Sequence, residues 1–401
     1  MASQLQSAAD QAGDEPALVV IVGTGLAGYN TAREFRKHDK TTPLLIISRD
    51  AGDFYSKPML SNALAGNKSA AQLVMKSAQT MASELPASVR PRTEVVAIDT
   101  AARSLRMHDG SAIVYRDLVL ALGADPIRLP LAGDAAADVV SVNDLQDYEC
   151  FAAALDGAAT VAILGAGLIG CEFANDLLAR GIAPTVIDIA ERPLARLLPA
   201  EAGDQMRAKL EAAGVAFRFG SGVARVERAS RGYRLQLLDG TTLQADLVLS
   251  AIGLKPRTAL AEAAGLVVER GVKVDRLLAA SQPHVYAVGD NAQVDGLNLP
   301  FVLPLMQQSR ALGATLAGKA TPVQYPAMPV VVKTPAWPTV VCPPPVGSHG
   351  DWTVVHDDAQ CRAEFFDAAG ALAGFALQGA ATAQRQALAA RVAPMLPALL
   401  D

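Results

Sequence analysis

Short apolar runs punctuated by glycine organise this chain. Ala17 to Val22 is such a run; it ends in Gly23-Thr24-Gly25-Leu26-Ala27-Gly28, and a helix-like stretch follows. A second apolar strand, Leu44 to Ser48, comes next, and Asp117-Leu118-Val119-Leu120-Ala121-Leu122-Gly123 appears later. The same order then returns. Thr160 to Leu164 leads into Gly165-Ala166-Gly167-Leu168-Ile169-Gly170, a helix from Cys171 to Arg180, and a strand Pro184 to Ile187 ending at Asp188. Asp246 to Gly253 echoes the segment that ends at Gly123. This repetition predicts two copies of one nucleotide-binding unit, hence an α/β fold with two Rossmann-like domains.

Each glycine loop carries a physical rationale. The first glycine (Gly23, Gly165) makes a tight turn. The second (Gly25, Gly167) lets the backbone approach a pyrophosphate, and the third (Gly28, Gly170) lets helix pack on strand. Free N–H groups and the dipole at the helix start favour the negative charge. One such loop is a weak signal, because glycine-rich turns without a ligand are common. Two of them, each between a strand and a helix, predict two dinucleotides and electron flow between them.

A different signal follows residue 255. Val285-Tyr286-Ala287-Val288-Gly289-Asp290 is an apolar strand ending in Gly-Asp, where a carboxylate can meet a ligand hydroxyl at the carboxyl edge of a sheet. The alternative for Asp290 is a helix N-cap. A helix-like stretch runs from Leu305 to Leu316. Proline density from Pro322 to Pro345 predicts a boundary or linker. Trp352 to Ala376 reads as short strands with a turn at Asp367 to Gly370, and an Ala-rich helix is expected from Thr382 to about Val392. The expected organisation is a disordered tail (1–16), a first nucleotide domain in two parts (17–145 and 256–320), a second inserted between them (146–255), and a small C-terminal α+β domain (321–401).

Composition narrows the function. The chain has 401 residues, 51% hydrophobic and 19% charged, with a net charge of −5. That balance argues against nucleic acid as a partner. No run reaches the length of a membrane helix, and residues 1–16 lack the pattern of a signal peptide, so a cytoplasmic protein without membrane insertion is expected. Cys150, Cys171, Cys342 and Cys361 are far apart, and the five histidines lack ligand spacing, so neither a metal site nor a dithiol is expected.

With these segments in hand, the chain resembles the two-dinucleotide flavoprotein reductases, the FAD-dependent pyridine-nucleotide oxidoreductases, and among them the rubredoxin–NAD(+) reductases. Three segments carry the resemblance: Tyr55-Ser56-Lys57-Pro58-Met59-Leu60-Ser61, Gly170-Cys171-Glu172-Phe173-Ala174-Asn175-Asp176-Leu177 and Val332-Lys333-Thr334-Pro335-Ala336. It implies FAD on the first loop, with Thr24 to Gly28 at the pyrophosphate, and NADH on the second. Arg49 or Asp50 would take the FAD ribose, and the backbone of Val95 would meet adenine. Asp290, after Gly289, would hold the ribityl chain. Pro58, Val302 and Lys333 would lie by the flavin, with Gly123 and Gly253 closing the two units.

Asp188 stands near the spacing at which an acid takes the ribose 2′-OH, so NADH is expected over NADPH. Arg192 and Arg196 are the nearby residues that could accommodate a 2′-phosphate instead. The resemblance places Lys57 and Glu172 beside the flavin N5 as an ion pair. Disulfide reductases of this fold carry a close cysteine pair where this chain has Ser56-Lys57-Pro58. Electrons are therefore expected to leave FAD directly for an outside one-electron acceptor: rubredoxin, which could feed an alkane hydroxylase, or alternatively a ferredoxin of an oxygenase system or oxygen. A flavoprotein serving protein interaction is the non-enzymatic alternative. Lys57, Lys333, Lys319 and Arg310 are candidates for a basic docking patch. Monomer and dimer both remain open.

Overall fold

The computed structural model describes residues 17–398; the expected tail, 1–16, lies outside the described residues. The apolar runs pair side by side as parallel strands. Val285–Ala287, Asp117–Leu120, Val19–Val22, Leu44–Ile47 and Ser88–Arg90 form one sheet in that order. Ala216–Phe219, Ala183–Asp188, Thr160–Leu164 and Leu247–Ser250 form the second. The central strands of both are buried along almost their whole length, which explains their continuous rather than alternating apolar character.

The duplication extends to register. Val22 lies between Ile47 and Leu120, and Leu164 lies between Ile187 and Ser250. Each unit also carries a three-stranded antiparallel meander, Val95–Asp99, Ser104–Met107 and Ala112–Val114 in one, Val223–Arg228, Tyr233–Leu237 and Thr242–Ala245 in the other. The expected helices form slightly earlier than their predicted starts, as Leu168–Leu178 and Val302–Leu316.

A two-stranded ribbon, Ala124–Pro126 against Leu254–Pro256, joins the units. The chain crosses here rather than at 145–146 as expected. Residues after the ribbon are already fastened to the second unit: the N–H of Ala132 donates to Ala224 O at 3.0 Å, and Val140 N–H to Val248 O at 3.0 Å.

The proline-rich stretch opens the C-terminal domain, as a boundary, but it is not a linker. It contributes two strands, Val330–Val332 and Thr339–Cys342, to a five-stranded antiparallel sheet completed by Leu372–Gly379, Gln360–Asp367 and Gly350–His356. Its prolines sit at the hairpin between those strands and beyond them, where no ladder N–H is needed. The expected terminal helix is shorter, a 3₁₀ turn Ala380–Gln384 followed by Arg385–Ala389. One face of this sheet (Val332, Val341, Cys361, Ala363, Ala376) shares a core with Phe173, Met206 and Leu210 of the second unit.

Candidate functional site

A cavity of about 1670 Å³ opens where the first unit, the second-loop helix and the C-terminal domain meet. The first loop forms one wall through Gly23, Thr24, Gly25, Leu26 and Ala27. Gly23 has φ of +119°, and a Cβ there would lie 2.1 Å from Ala121 O; a Cβ on Gly28 would lie 1.9 Å from Gly23 O. Both positions thus admit only glycine. Gly25 differs. A Cβ there meets nothing within 4 Å, so the absent side chain leaves space on the cavity side. That is the cradle a pyrophosphate requires. The second loop repeats the pattern: a Cβ on Gly170 would sit 1.9 Å from Gly165 O, and Gly167 faces open space.

The acids that follow each second strand hold their own loops. Asp188 accepts from Ala166 N–H at 2.6 Å and from Ala190 N–H at 2.8 Å. In the first unit Ser48 occupies the equivalent register position, one past Ile47. Ser48 Oγ lies 2.6 Å from Thr24 Oγ1 and donates to Asp50 Oδ1 at 2.5 Å, while Gly52 N–H donates to the same oxygen at 2.8 Å. Asp50 is therefore tied to the first loop. Arg49 instead extends toward Asp125, 4.0 Å away.

The expected Lys57–Glu172 pair does not form. Lys57 Nζ donates to Asn143 Oδ1 at 2.6 Å. Glu172 is buried and accepts from Ser61 Oγ at 2.6 Å, from the Lys333 N–H at 3.0 Å and from the Lys333 ammonium. The strand Val330–Val332 delivers Lys333 to the start of the second-loop helix, where it engages the Glu172 carboxylate, while Asn143 holds Lys57. Three parts of the chain meet at this one group. The same helix makes two further ties: Asp176 accepts from Leu64 N–H at 2.9 Å and Ala65 N–H at 2.8 Å, and Asn175 accepts from Ala336 N–H at 3.0 Å.

Burial shapes the charges inside. It holds the Lys57 ammonium below its ordinary pKa, an effect partly offset by Asp290. It raises Asp290 above the usual carboxylate range, partly offset by Lys57 and Arg257. Burial also raises the Tyr55 phenol, with Asp144 and Asp50 adding to it. A cation and an anion thus face the same water-poor space, suited to a ligand with both polar and aromatic parts.

Comparison with known proteins fits this geometry. The profile of the family described as pyridine nucleotide-disulphide oxidoreductase matches residues 17–313, and that of the rubredoxin binding C-terminal domain matches residues 322–392. The rubredoxin-NAD(+) reductase of Alcanivorax borkumensis is 46% identical over 94% of this chain and 99% of its own length. The chain belongs to the pyridine nucleotide-disulphide oxidoreductase family. A second relative, the rubredoxin-NAD(+) reductase of Acinetobacter baylyi, is 44% identical over 95% of this chain and 99% of its own. Among solved structures, a ferredoxin reductase from Rhodopseudomonas palustris superposes with a TM-score of 0.86 at 25% identity, covering 94% of this chain and 95% of that one.

Within this family member the cavity gathers Gly23 to Ala27, Arg49, Asp50, Lys57, Pro58, Val95, Gly123, Leu168, Ile169, Glu172, Asp290, Val302 and Lys333. Gly165, Gly167 and Gly170 lie on the second loop and Asp188 ends the strand Ala183–Asp188, all outside the cavity lining, as are Gly28, Gly253 and Gly289. Asp290 is not a helix cap; it sits in the 3₁₀ turn Gly289–Asn291 and makes no capping bond. Sequence reading missed Ser61, Asp176, Asn143 and Gln308. Ser61 and Asp176 lie inside the segments that carried the resemblance. Asn143 and Gln308 left no signal, since their contacts with Lys57 and with Gly289 and Tyr325 are made only by the fold. The four cysteines are free, with Cys150 alone exposed, so no cysteine pair intervenes at the cavity.

Proposed function

We propose that this chain takes two electrons from NADH, passes them through FAD held in the cavity, and delivers them one at a time to rubredoxin. One NADH is oxidised to NAD⁺ with release of a proton, and two acceptor molecules are each reduced by one electron. Bound FAD supplies the conversion between a two-electron donor and a one-electron acceptor. The observation that carries the reading is the meeting of a duplicated dinucleotide unit and a rubredoxin-binding type of C-terminal domain on one cavity.

The residues divide the work. Gly25 and the N–H groups at the start of Leu26–His38 would take the FAD pyrophosphate, Asp50 rather than Arg49 the ribose, and the backbone at Val95 the adenine. Asp290 would bind the ribityl hydroxyls. Lys57 places positive charge in a low-dielectric space, where it favours added negative charge. Asp188 would accept from the NADH ribose while fixing the second loop, because a carboxylate has lone pairs beyond the two used by Ala166 and Ala190. An anion at that position disfavours a 2′-phosphate. Among the described residues no helix is long and apolar enough to cross a membrane; the use of NADH together with free cysteines supports a cytoplasmic setting.

Stopped-flow mixing with NADH tests the first half: the yellow flavin absorbance should bleach rapidly. A screen of purified rubredoxin, ferredoxin and oxygen as acceptors tests the second, and ferredoxin is included because of the structural likeness to a ferredoxin reductase. Rubredoxin should be reduced fastest. A protein that neither binds FAD nor bleaches with NADH would sink the proposal.

A further inference from the structure

We propose that Gln308 is a positioning residue for the Gly289–Asp290 turn, and that through Tyr325 it ties this turn to the C-terminal domain. The inference rests on the reading that the cavity takes FAD. Gly289 opens the 3₁₀ turn Gly289–Asn291 with φ of +83°. Its N–H donates to Gln308 Oε1 at 2.6 Å, and Asp290 O accepts from Asn298 Nδ2 at 3.0 Å. The carboxylate that enters the cavity is therefore held by its backbone on both sides. A Cβ on Gly289 would fall 2.7 Å from Ala27 Cβ, so the turn leans directly on the first loop.

Gln308 is 2% exposed. It shares its helix face with Leu305 and Leu312, both buried, so simple packing there asks for another apolar residue. A buried amide is costly unless both ends are used. Both are. The Nε2 group donates to the Tyr325 hydroxyl at 2.8 Å. Tyr325 is fully buried and its backbone pairs with Leu396 in both directions, at 2.9 and 3.2 Å. The neighbouring Ser309 donates to Ala27 O at 3.4 Å and accepts from Thr31 Oγ1 at 3.2 Å. One turn of the Val302–Leu316 helix thus holds the Asp290 turn and the first loop together, and fastens both to the domain that begins near Pro322.

The test is titration of the FAD-free protein with FAD, read by flavin fluorescence and visible circular dichroism, alongside melting of the FAD-free protein. Gln308→Leu strands the buried Gly289 N–H, which should lower the melting temperature of the FAD-free protein modestly and weaken FAD binding about ten- to a hundredfold, more than the loss of stability alone explains. Gln308→Glu should restore binding, and more fully at about pH 6 than at pH 8, because a neutral carboxyl offers the same acceptor and donor as the amide. Tyr325→Phe should weaken binding less than Gln308→Leu and alter the flavin dichroism. Wild-type FAD affinity in Gln308→Leu overturns the proposal. So does loss of melting temperature in the FAD-free protein that accounts for the whole loss of affinity, with no recovery in Gln308→Glu. If Gln308→Leu does not fold, Gln308→Glu and Tyr325→Phe decide: pH-independent binding in the first and wild-type binding and dichroism in the second overturn it. A wild-type protein that binds no FAD instead sinks the reading of the cavity.

Discussion

Glu172 accepts from Lys333 twice, once from its backbone N–H at 3.0 Å and once from its ammonium, and so joins the second nucleotide unit to the C-terminal domain beside the cavity. The carboxylate is 5% exposed and the lysine side chain 25%. Such a pair matters most when one partner is removed.

Glu172→Gln and Lys333→Met should each destabilise the protein, by an amount approaching the roughly 3–5 kcal/mol of a broken buried pair. The double variant should be less destabilised than the sum of the two. Lys57→Met with Glu172→Gln should instead be additive, since those side chains have different partners. Denaturant melts of all single and double variants give the coupling energies. Coupling between Lys57 and Glu172 larger than that between Lys333 and Glu172 would contradict the observed pairing.

Asp290 gives a pH-dependent outcome. Burial raises its folded-state pKa above the ordinary 3.8. The folded chain then binds more protons at this site than the unfolded chain between 3.8 and the raised value, so stability falls as pH rises through that window. Asp290→Asn should therefore raise the melting temperature of the FAD-free protein at neutral pH. The gain should vanish below about pH 3.8, where Asp290 is neutral in both states. FAD affinity should fall in the same variant. Thermal melts across pH, with and without FAD, separate the two effects.

The two loop glycines predict opposite failures. Gly23→Ala places a Cβ 2.1 Å from Ala121 O at a φ of +119°, and should prevent normal folding. Gly25→Ala meets no protein atom within 4 Å, so the FAD-free protein should melt as wild type while FAD binds more weakly. Equal FAD affinity in Gly25→Ala would place the pyrophosphate elsewhere.

How much of this was legible in the residues follows from how local each feature is. The glycine loops, the strands before them and the Gly289-Asp290 turn are set by neighbours in sequence, and the structure places them as read. The crossing ribbon was missed because Ala124–Pro126 gains meaning only from Leu254–Pro256, over a hundred residues away. Of the two readings of the proline-rich stretch, the boundary holds, since the C-terminal domain begins at residue 322, while the linker fails because Pro335 and Pro338 mark a hairpin bend in a sheet. Lys57 and Glu172 were both placed at the cavity, yet their partners were wrong, since a long side chain's choice among several nearby groups is a tertiary matter.

Asp188, the proposed ribose acceptor, also holds the shape of its loop. Because it accepts from Ala166 N–H at 2.6 Å, Asp188→Ala removes a loop tie as well as a ribose acceptor. The KM for NADH should rise, and the preference for NADH over NADPH should shrink. Asp188→Asn retains an acceptor for Ala166, so its KM should rise less while its preference relaxes similarly, because the charge that repels the 2′-phosphate is gone. Wild-type protein that uses NADPH as well as NADH would shift attention to Arg192, whose guanidinium is engaged by Asp204 at 2.9 Å.

Docking of the acceptor can be tested by salt and by one arginine. The chain carries a net charge of −5, so its overall charge would not attract a partner of like sign and local charges must steer docking of one. Two of the four expected docking cations are committed elsewhere, Lys57 to Asn143 and Lys333 to Glu172; Lys319 and Arg310 remain exposed. At the cavity mouth the C-terminal domain instead presents Arg385, exposed, near an apolar rim of Val302, Leu303 and Val331 that is 40%, 45% and 49% exposed. A small apolar contact steered by one or two charges suits a brief electron-transfer encounter. Arg385→Glu should slow the reduction of rubredoxin and flatten its dependence on ionic strength, because screening acts on the charges that steer. Leu303→Ser should slow it at every salt concentration. NADH bleaching of the flavin should change less than rubredoxin reduction for both, since the two residues lie at the cavity mouth and away from the second loop. If Arg385→Glu reduces rubredoxin at the wild-type rate at low salt, while Lys319→Glu or Arg310→Glu does not, the docking face lies along the Val302–Leu316 helix and beyond its C-terminal end rather than at the cavity mouth.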